Sequence, residues 1–155
     1  MLELEGSRVA CRQARIGGDL PEIGRQDLAG TIVYDRASGD VDLALTGLAV
    51  AGGQVDINGS LHASAWQIEA SVAKADTVEL ARVLSRMGTE VAGFAATAGS
   101  LDGEFTARGS ADGLEEIEFA LSATGLSVGN EAGTVATDGL GLSVQGRLQP
   151  ATHGW

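Results

Sequence analysis

The sequence predicts a mainly β chain: an antiparallel meander curved into a half-pipe, with one short amphipathic helix at about 77–87. Three observations predict it. Apolar residues recur with period two over most of the length, the connections between these runs are short and often contain glycine, and one segment alone follows a helical period.

The alternation begins at once, with Leu2 and Leu4 set against Glu3 and Glu5, then Val9 and Cys11 against Arg8 and Arg12. Val41, Leu43 and Leu45 alternate with Asp40, Asp42 and Ala44, and Val55, Ile57, Gly59 and Leu61 with Gln54, Asp56, Asn58 and Ser60. Trp66, Ile68, Ala70 and Val72 form the next inward row. After the helix come Leu101, Gly103, Phe105 and Ala107, then Ile117, Phe119, Leu121 and Ala123, and last Leu140, Leu142, Val144, Gly146 and Leu148. Each run reads as a strand with one wet and one apolar face. Turns are expected at 35–39, 51–53, 111–113, at Gly129-Asn130 and at Asp138-Gly139. They are too short for crossover helices, so successive strands should be antiparallel neighbours.

The helical segment has its own punctuation. Asp76 stands at the capping position, Glu79 at the reciprocal place of a capping box, and Gly88 suits a left-handed stop. Leu80, Val83, Leu84 and Met87 make one stripe, expected to form a lid over one end of the apolar face. A loose repeat flanks it. Leu28-Ala-Gly-Thr-Ile32 is echoed by Leu101-Asp-Gly-Glu-Phe105, and the stretch from Asp42 through Gly47 to Val50 by that from Glu118 through Gly125 to Val128, giving units 28–73 and 101–148 within a single β-rich segment, 1–155.

Bulk properties narrow the function. A chain of 155 residues suits one domain. Ten Lys and Arg against 21 Asp and Glu give a net charge of −11, which repels nucleic-acid phosphates and anionic membrane surfaces. It does not oppose capture of a single lipid by its acyl chains. The lone Cys11 excludes an internal disulfide and reads as a small apolar side chain. The first residues lack a basic and then apolar leader, and no apolar run reaches the roughly 18 residues of a membrane span. Because the chain opens inside an alternating run, we expect a segment of a longer protein whose targeting information lies elsewhere.

No constellation for catalysis or metal binding emerges. Gly125-Leu-Ser-Val-Gly129 has the spelling of a hydrolase nucleophile elbow, but strand and turn residues follow Ser127 where that chemistry needs a helix. His62 and His153 lack a ligand at zinc spacing, and the stretch from Gly52 to Asn58 lacks the glycine and aspartate of a calcium-binding repeat. Glu115, Glu116 and Glu118 read as a solvated face. Asn58-Gly-Ser60 spells a glycosylation sequon, and Trp66 reads as a core or rim anchor. No cofactor is expected.

The inner face is the remaining candidate: Leu43, Leu45, Val55, Ile57, Leu61, Ile68, Val72, Phe105, Phe119, Leu121, Leu142 and Val144. With 44% hydrophobic but only 4% aromatic residues, such a lining is smooth and suits hydrocarbon, each buried methylene contributing about 0.8 kcal/mol. Its cadence carries a resemblance. The run from Gly47 to Leu61, the helix opening Asp76-Thr-Val-Glu-Leu-Ala81 and the return from Gly99 to Gly109 resemble the AsmA-like, TamB-type bridge-like lipid-transfer proteins, most of all the YdbH family. That resemblance implies a periplasmic β-taco, anchored in the inner membrane of a Gram-negative envelope, whose apolar groove carries phospholipid between the two membranes. Its partners would be phospholipid acyl chains and neighbouring segments of the same longer chain. The alternative reading is a structural or adhesive β-repeat module, a section of a sandwich or solenoid in which the same rows only pack together.

Overall fold

A computed structural model describes residues 2–20, 24–86, 95–129 and 136–150. Its strands are β1 (Leu2–Glu5), β2 (Arg8–Leu20), β3 (Gly24–Asp35), β4 (Val41–Val50), β5 (Gly53–His62), β6 (Ala65–Asp76), β7 (Ala95–Ser110), β8 (Gly113–Gly129) and β9 (Ala136–Leu148), with the helix α1 (Thr77–Arg86) between β6 and β7. They form one nine-stranded sheet in sequence order, every neighbouring pair antiparallel and the sheet not closed. The mainly β antiparallel class is therefore as the alternation predicts. Met87, Gly88, Phe94, Asn130, His153 and Trp155 lie outside the described residues.

Directly paired residues of antiparallel strands share a face, so the register assigns the faces. One row runs Cys11, Ile32, Leu43, Gly59, Ile68, Ala107, Ile117, Leu148. The next runs Ala14, Gly30, Leu45, Ile57, Ala70, Phe105, Phe119, Gly146. A third, over the later strands, joins Leu48, Val55, Val72, Gly103, Leu121 and Val144. These rows contain no charged residue. The opposite face carries Glu3, Asp42, Ser60, Gln67, Arg108 and Glu116 in a single row.

Four strands keep their apolar residues on one side only by slipping phase. β2 bulges between Cys11 and Ala14, β4 between Leu45 and Leu48, β6 between Val72 and Ala75, and β8 between Ala123 and Leu126. In each bulge one residue takes a left-handed conformation: Gln13 (φ 56°), Gly47 (87°), Lys74 (56°) and Gly125 (62°). Traced across the ladder, each bulge sits one inward row beyond the bulge two strands earlier. The line of bulges therefore crosses the sheet diagonally, one step per hairpin, and each bends its strand and increases the local twist.

Two of these bulges are held by an aspartate on the facing strand. Asp56 Oδ1 accepts the Gly47 N–H at 3.1 Å, and Asp102 Oδ1 accepts the Lys74 N–H at 3.0 Å. Gln26, buried on β3, serves the ladder beyond the β4 bulge: its amide nitrogen donates to the Ala49 carbonyl at 3.1 Å and its amide oxygen accepts the Ala49 N–H at 2.9 Å.

The predicted turn at Asp138-Gly139 is corrected. Both residues lie inside β9, where Gly139 (φ 70°) occupies a further bulge opposite the stretch from Leu126 to Val128. The chain continues straight because β8 still offers it a ladder there. The 129–130 turn falls partly outside the described residues, and β8 runs through Gly129.

Candidate apolar binding face

Every inner-face residue named from the sequence lies on the one apolar side, brought together by the register given above. The side is largely uncovered. Among the described residues the only buried apolar side chains are Ala10, Val55, Ala75 and Ala123, and no large side chain is fully buried. Leu61, Ile68, Phe105, Leu142 and Val144 are exposed, Ile68 at 48% and Leu142 at 52%. Leu43, Leu45, Ile57, Val72, Phe119 and Leu121 are half-buried by their neighbours within the sheet.

The face is smooth for a geometric reason. At three glycines of the inward rows a large neighbour leans across: a Cβ built on Gly103 would lie 2.6 Å from Leu121 Cδ2, one on Gly146 2.6 Å from Phe119 Cζ, and one on Gly30 2.8 Å from Leu45 Cδ2. Glycine and large side chain thus share one layer of thickness. Trp66 closes a rim the same way, its ring over Gly109 and its indole N–H donating to the Ser110 carbonyl at 3.1 Å.

The helix follows β6 and lies against β7, with none of its residues fully buried. Asp76 caps it, its Oδ1 accepting the Val78 and Glu79 N–H groups at 2.8 and 2.9 Å. The reciprocal half of the capping box is not used: the Asp76 N–H goes to the Ala51 carbonyl at 2.8 Å, and Glu79 pairs with Arg82. Thr77 Oγ1 donates to the Gly99 carbonyl at 3.2 Å, tying the helix to β7. Leu80, Val83 and Leu84 are half-buried, and Met87 lies outside the described residues. The best-covered apolar positions, Ala75, Ala123 and Val55, lie toward the end of β6 from which the helix departs.

With strands about 4.8 Å apart and residues about 3.3 Å apart along them, the apolar rows span roughly 38 Å across the nine strands and about 30 Å along β8. The whole chain exposes 10442 Å², against about 7,300 Å² for a compact protein of its 15.7 kDa mass.

The polar face carries the charges. Glu116 is buried, not solvated as its sequence neighbourhood suggests, because Arg108 and Arg147 on the flanking strands both close on it and Gln149 donates to it at 3.2 Å. Glu118 joins the same network. Desolvation raises the Glu116 pKa, but the Arg108 and Gln149 hydrogen bonds and the two guanidinium charges outweigh it and leave the carboxyl below its ordinary range. At the β3–β4 turn, the Ala37 N–H holds Asp35 low, aided by Ser7 and Arg8; the Ser38 hydroxyl and the Ala63 N–H do the same for Asp40. His62 stands between Asp40 and Asp42, at 3.4 and 3.3 Å.

A hollow of about 740 Å³ is lined by Ser71, Glu104, Ser122, Ser143 and Gln145 of the polar side together with Val72, Gly103, Leu121 and Val144 of the third apolar row. Ser127 sits within β8, paired to Ala98, with no elbow around it. Asp56 is engaged by the β4 bulge, and no group of three His, Cys, Asp or Glu among the described residues is arranged to hold a metal ion. Compared with known proteins, the chain matches no family model, no curated protein and no solved structure.

Proposed function

We propose that this chain is a non-catalytic section of a lipid-carrying β-groove, whose occupant is the acyl part of a phospholipid. The observation that supports this reading is the uncharged apolar face, continuous across the sheet, with Ile68, Leu142 and Val144 about half exposed. Such a surface holds hydrocarbon without directional contacts, so a chain slides along it at little cost in free energy. A bilayer leaflet is about 15 Å of hydrocarbon, half the membrane core, so the face accommodates a full acyl chain in either direction. The bulges would curve the sheet around its cargo.

On this reading the parent protein is periplasmic and anchored in the inner membrane, its neighbouring segments extend the groove, and the AsmA-like resemblance supplies the setting. α1 would act as the lid that bounds the groove at the Ala75 end. The test is native mass spectrometry of the purified chain together with uptake of a fluorescent fatty acid. Co-purified phospholipid, and uptake reduced at least tenfold by Ile68→Asp with Val144→Asp, are the expected results. A lipid-free chain that takes up no fluorophore would leave the structural β-module reading in its place.

A further inference from the structure

One margin of the apolar face differs from its interior. Next to the first of the three rows, on the side away from the second, Tyr34, Val41, Leu61, Trp66 and Gly109 pair in turn across five strands. This row holds the two amphipathic aromatic side chains of the described residues, with Tyr34 at 42% exposure, whereas Phe105 and Phe119 stand inside, in the second row. Rings with a polar tip suit the boundary where hydrocarbon meets water. It is also the last inward row before the turns, which follow Asp35, His62 and Ser110. Those turns and the positions flanking them carry Asp35, Asp40, Asp112 and Glu115 against Arg36, whose guanidinium is turned onto the Ser7 and Gly6 carbonyls. Arg8 pairs with Asp35 and His62 stands beside Asp40, both at 3.4 Å, and no Lys or Arg among the described residues forms an ion pair with Asp40, Asp112 or Glu115. Hydrogen bonds within the turn hold Asp35 and Asp40 below the ordinary carboxylate range, ionised at neutral pH.

Resting on the lipid-groove reading above, we propose that the phospholipid lies with its acyl chains along the strands and its headgroup over these turns, and that the headgroup it takes is zwitterionic, with a cationic amine. Leu61 and Val55 on β5 mark the distance from this margin to the third row: six residues, about 20 Å, against the roughly 15 Å of hydrocarbon in one leaflet. An acyl chain entering at the Tyr34–Trp66 row therefore meets the apolar face over its full length. An ethanolamine or choline group then sets its positive charge among carboxylates, while a glycerol headgroup sets only the negative charge of the phosphate there. The rows run across the strands, so a lipid moving along them keeps its headgroup over one turn after another.

The experiment displaces a bound fluorescent fatty acid from the full chain with short-chain phosphatidylethanolamine or phosphatidylglycerol of identical acyl chains, each below its micelle concentration. The ethanolamine lipid should act at a roughly three- to tenfold lower concentration in low salt, the size expected of a few exposed ion pairs, with the difference shrinking in high salt. Asp112→Lys with Glu115→Lys should reverse the preference. Glu69→Lys with Glu104→Lys, an equal charge change on the opposite face, should leave it. With Trp155→Phe, Trp66 is the only tryptophan, and a bromine near the ester end of the acyl chain should quench it more than one at the methyl end. Equal displacement by the two lipids, a preference for the glycerol lipid, the same reversal from either lysine pair, or stronger quenching from the methyl end would each overturn this proposal and leave the groove standing. A chain that takes up no fluorophore at all overturns both.

Discussion

Gln26 does with a side chain what β3 does elsewhere with its backbone, giving Ala49 both a donor and an acceptor. Removing that amide leaves two main-chain groups beside a buried position without those bonds. Gln26→Ala is expected to cost about 1–3 kcal/mol, read from urea denaturation, while Gln26→Glu retains only the acceptor. The carboxylates make a second statement. Asp35, Asp40 and Glu116 all have folded pKa values below their ordinary ones, so their contribution is present above about pH 4.5 and is lost as pH falls through the folded values. The melting temperature should therefore fall as the pH drops below about 4.5. Glu116→Gln should flatten that drop, and an unchanged pH profile in this variant would remove Glu116 from the account.

At the scale of the element, glycines separate into those the sheet requires and those it does not. A Cβ on Gly53 would lie 2.6 Å from the Ala73 carbonyl oxygen and from the Ala75 backbone, and neither atom can swing aside. Gly141 on β9 has nothing within 4 Å and is not among the left-handed glycines. Gly53→Ala is expected to destabilise by more than about 2 kcal/mol, with Gly141→Ala neutral or stabilising by up to about 1 kcal/mol. The pair is compared by thermal unfolding. Capping of α1 is a separate test: Asp76→Ala removes both hydrogen bonds to the first turn and should cost about 1 kcal/mol, seen as faster amide exchange at Val78 and Glu79.

For the whole molecule, what the sequence made legible follows from what period two encodes. Strands from Val41 onward alternate cleanly on either side of their bulges, so their faces and order could be read directly, and Asp76 with Leu80, Val83 and Leu84 marked the helix. β2 and β3 were harder, because the bulge at Gln13 breaks the alternation after Cys11 and the glycines and charges of the stretch 17–27 mask a face. The bulges were invisible for the same reason: a phase slip such as Leu45 to Leu48 looks like a strand that has ended, when it has only changed step. Asp138-Gly139 shows the converse error, turn chemistry used inside a strand. Glu116 was misjudged because its partners Arg108 and Arg147 come from other strands, a proximity that only the register creates. The lack of an interior has its own consequence at this scale. A chain holding hydrocarbon on this face gains stability by mass action, so saturating lysophospholipid below its micelle concentration should raise the melting temperature by several degrees, and no shift would argue against the groove.

The diagonal of bulges works like the thread of a screw. Because each turn of the thread belongs to a complete hairpin, whole hairpins are the natural unit of gain and loss. Excising residues 41–62 in one piece would keep the direction of every later strand but widen one step of the thread from one inward row to two, whereas excising β5 alone would turn every later strand end for end. A protein built this way would lengthen or shorten by pairs of strands without reversing the direction of any other strand.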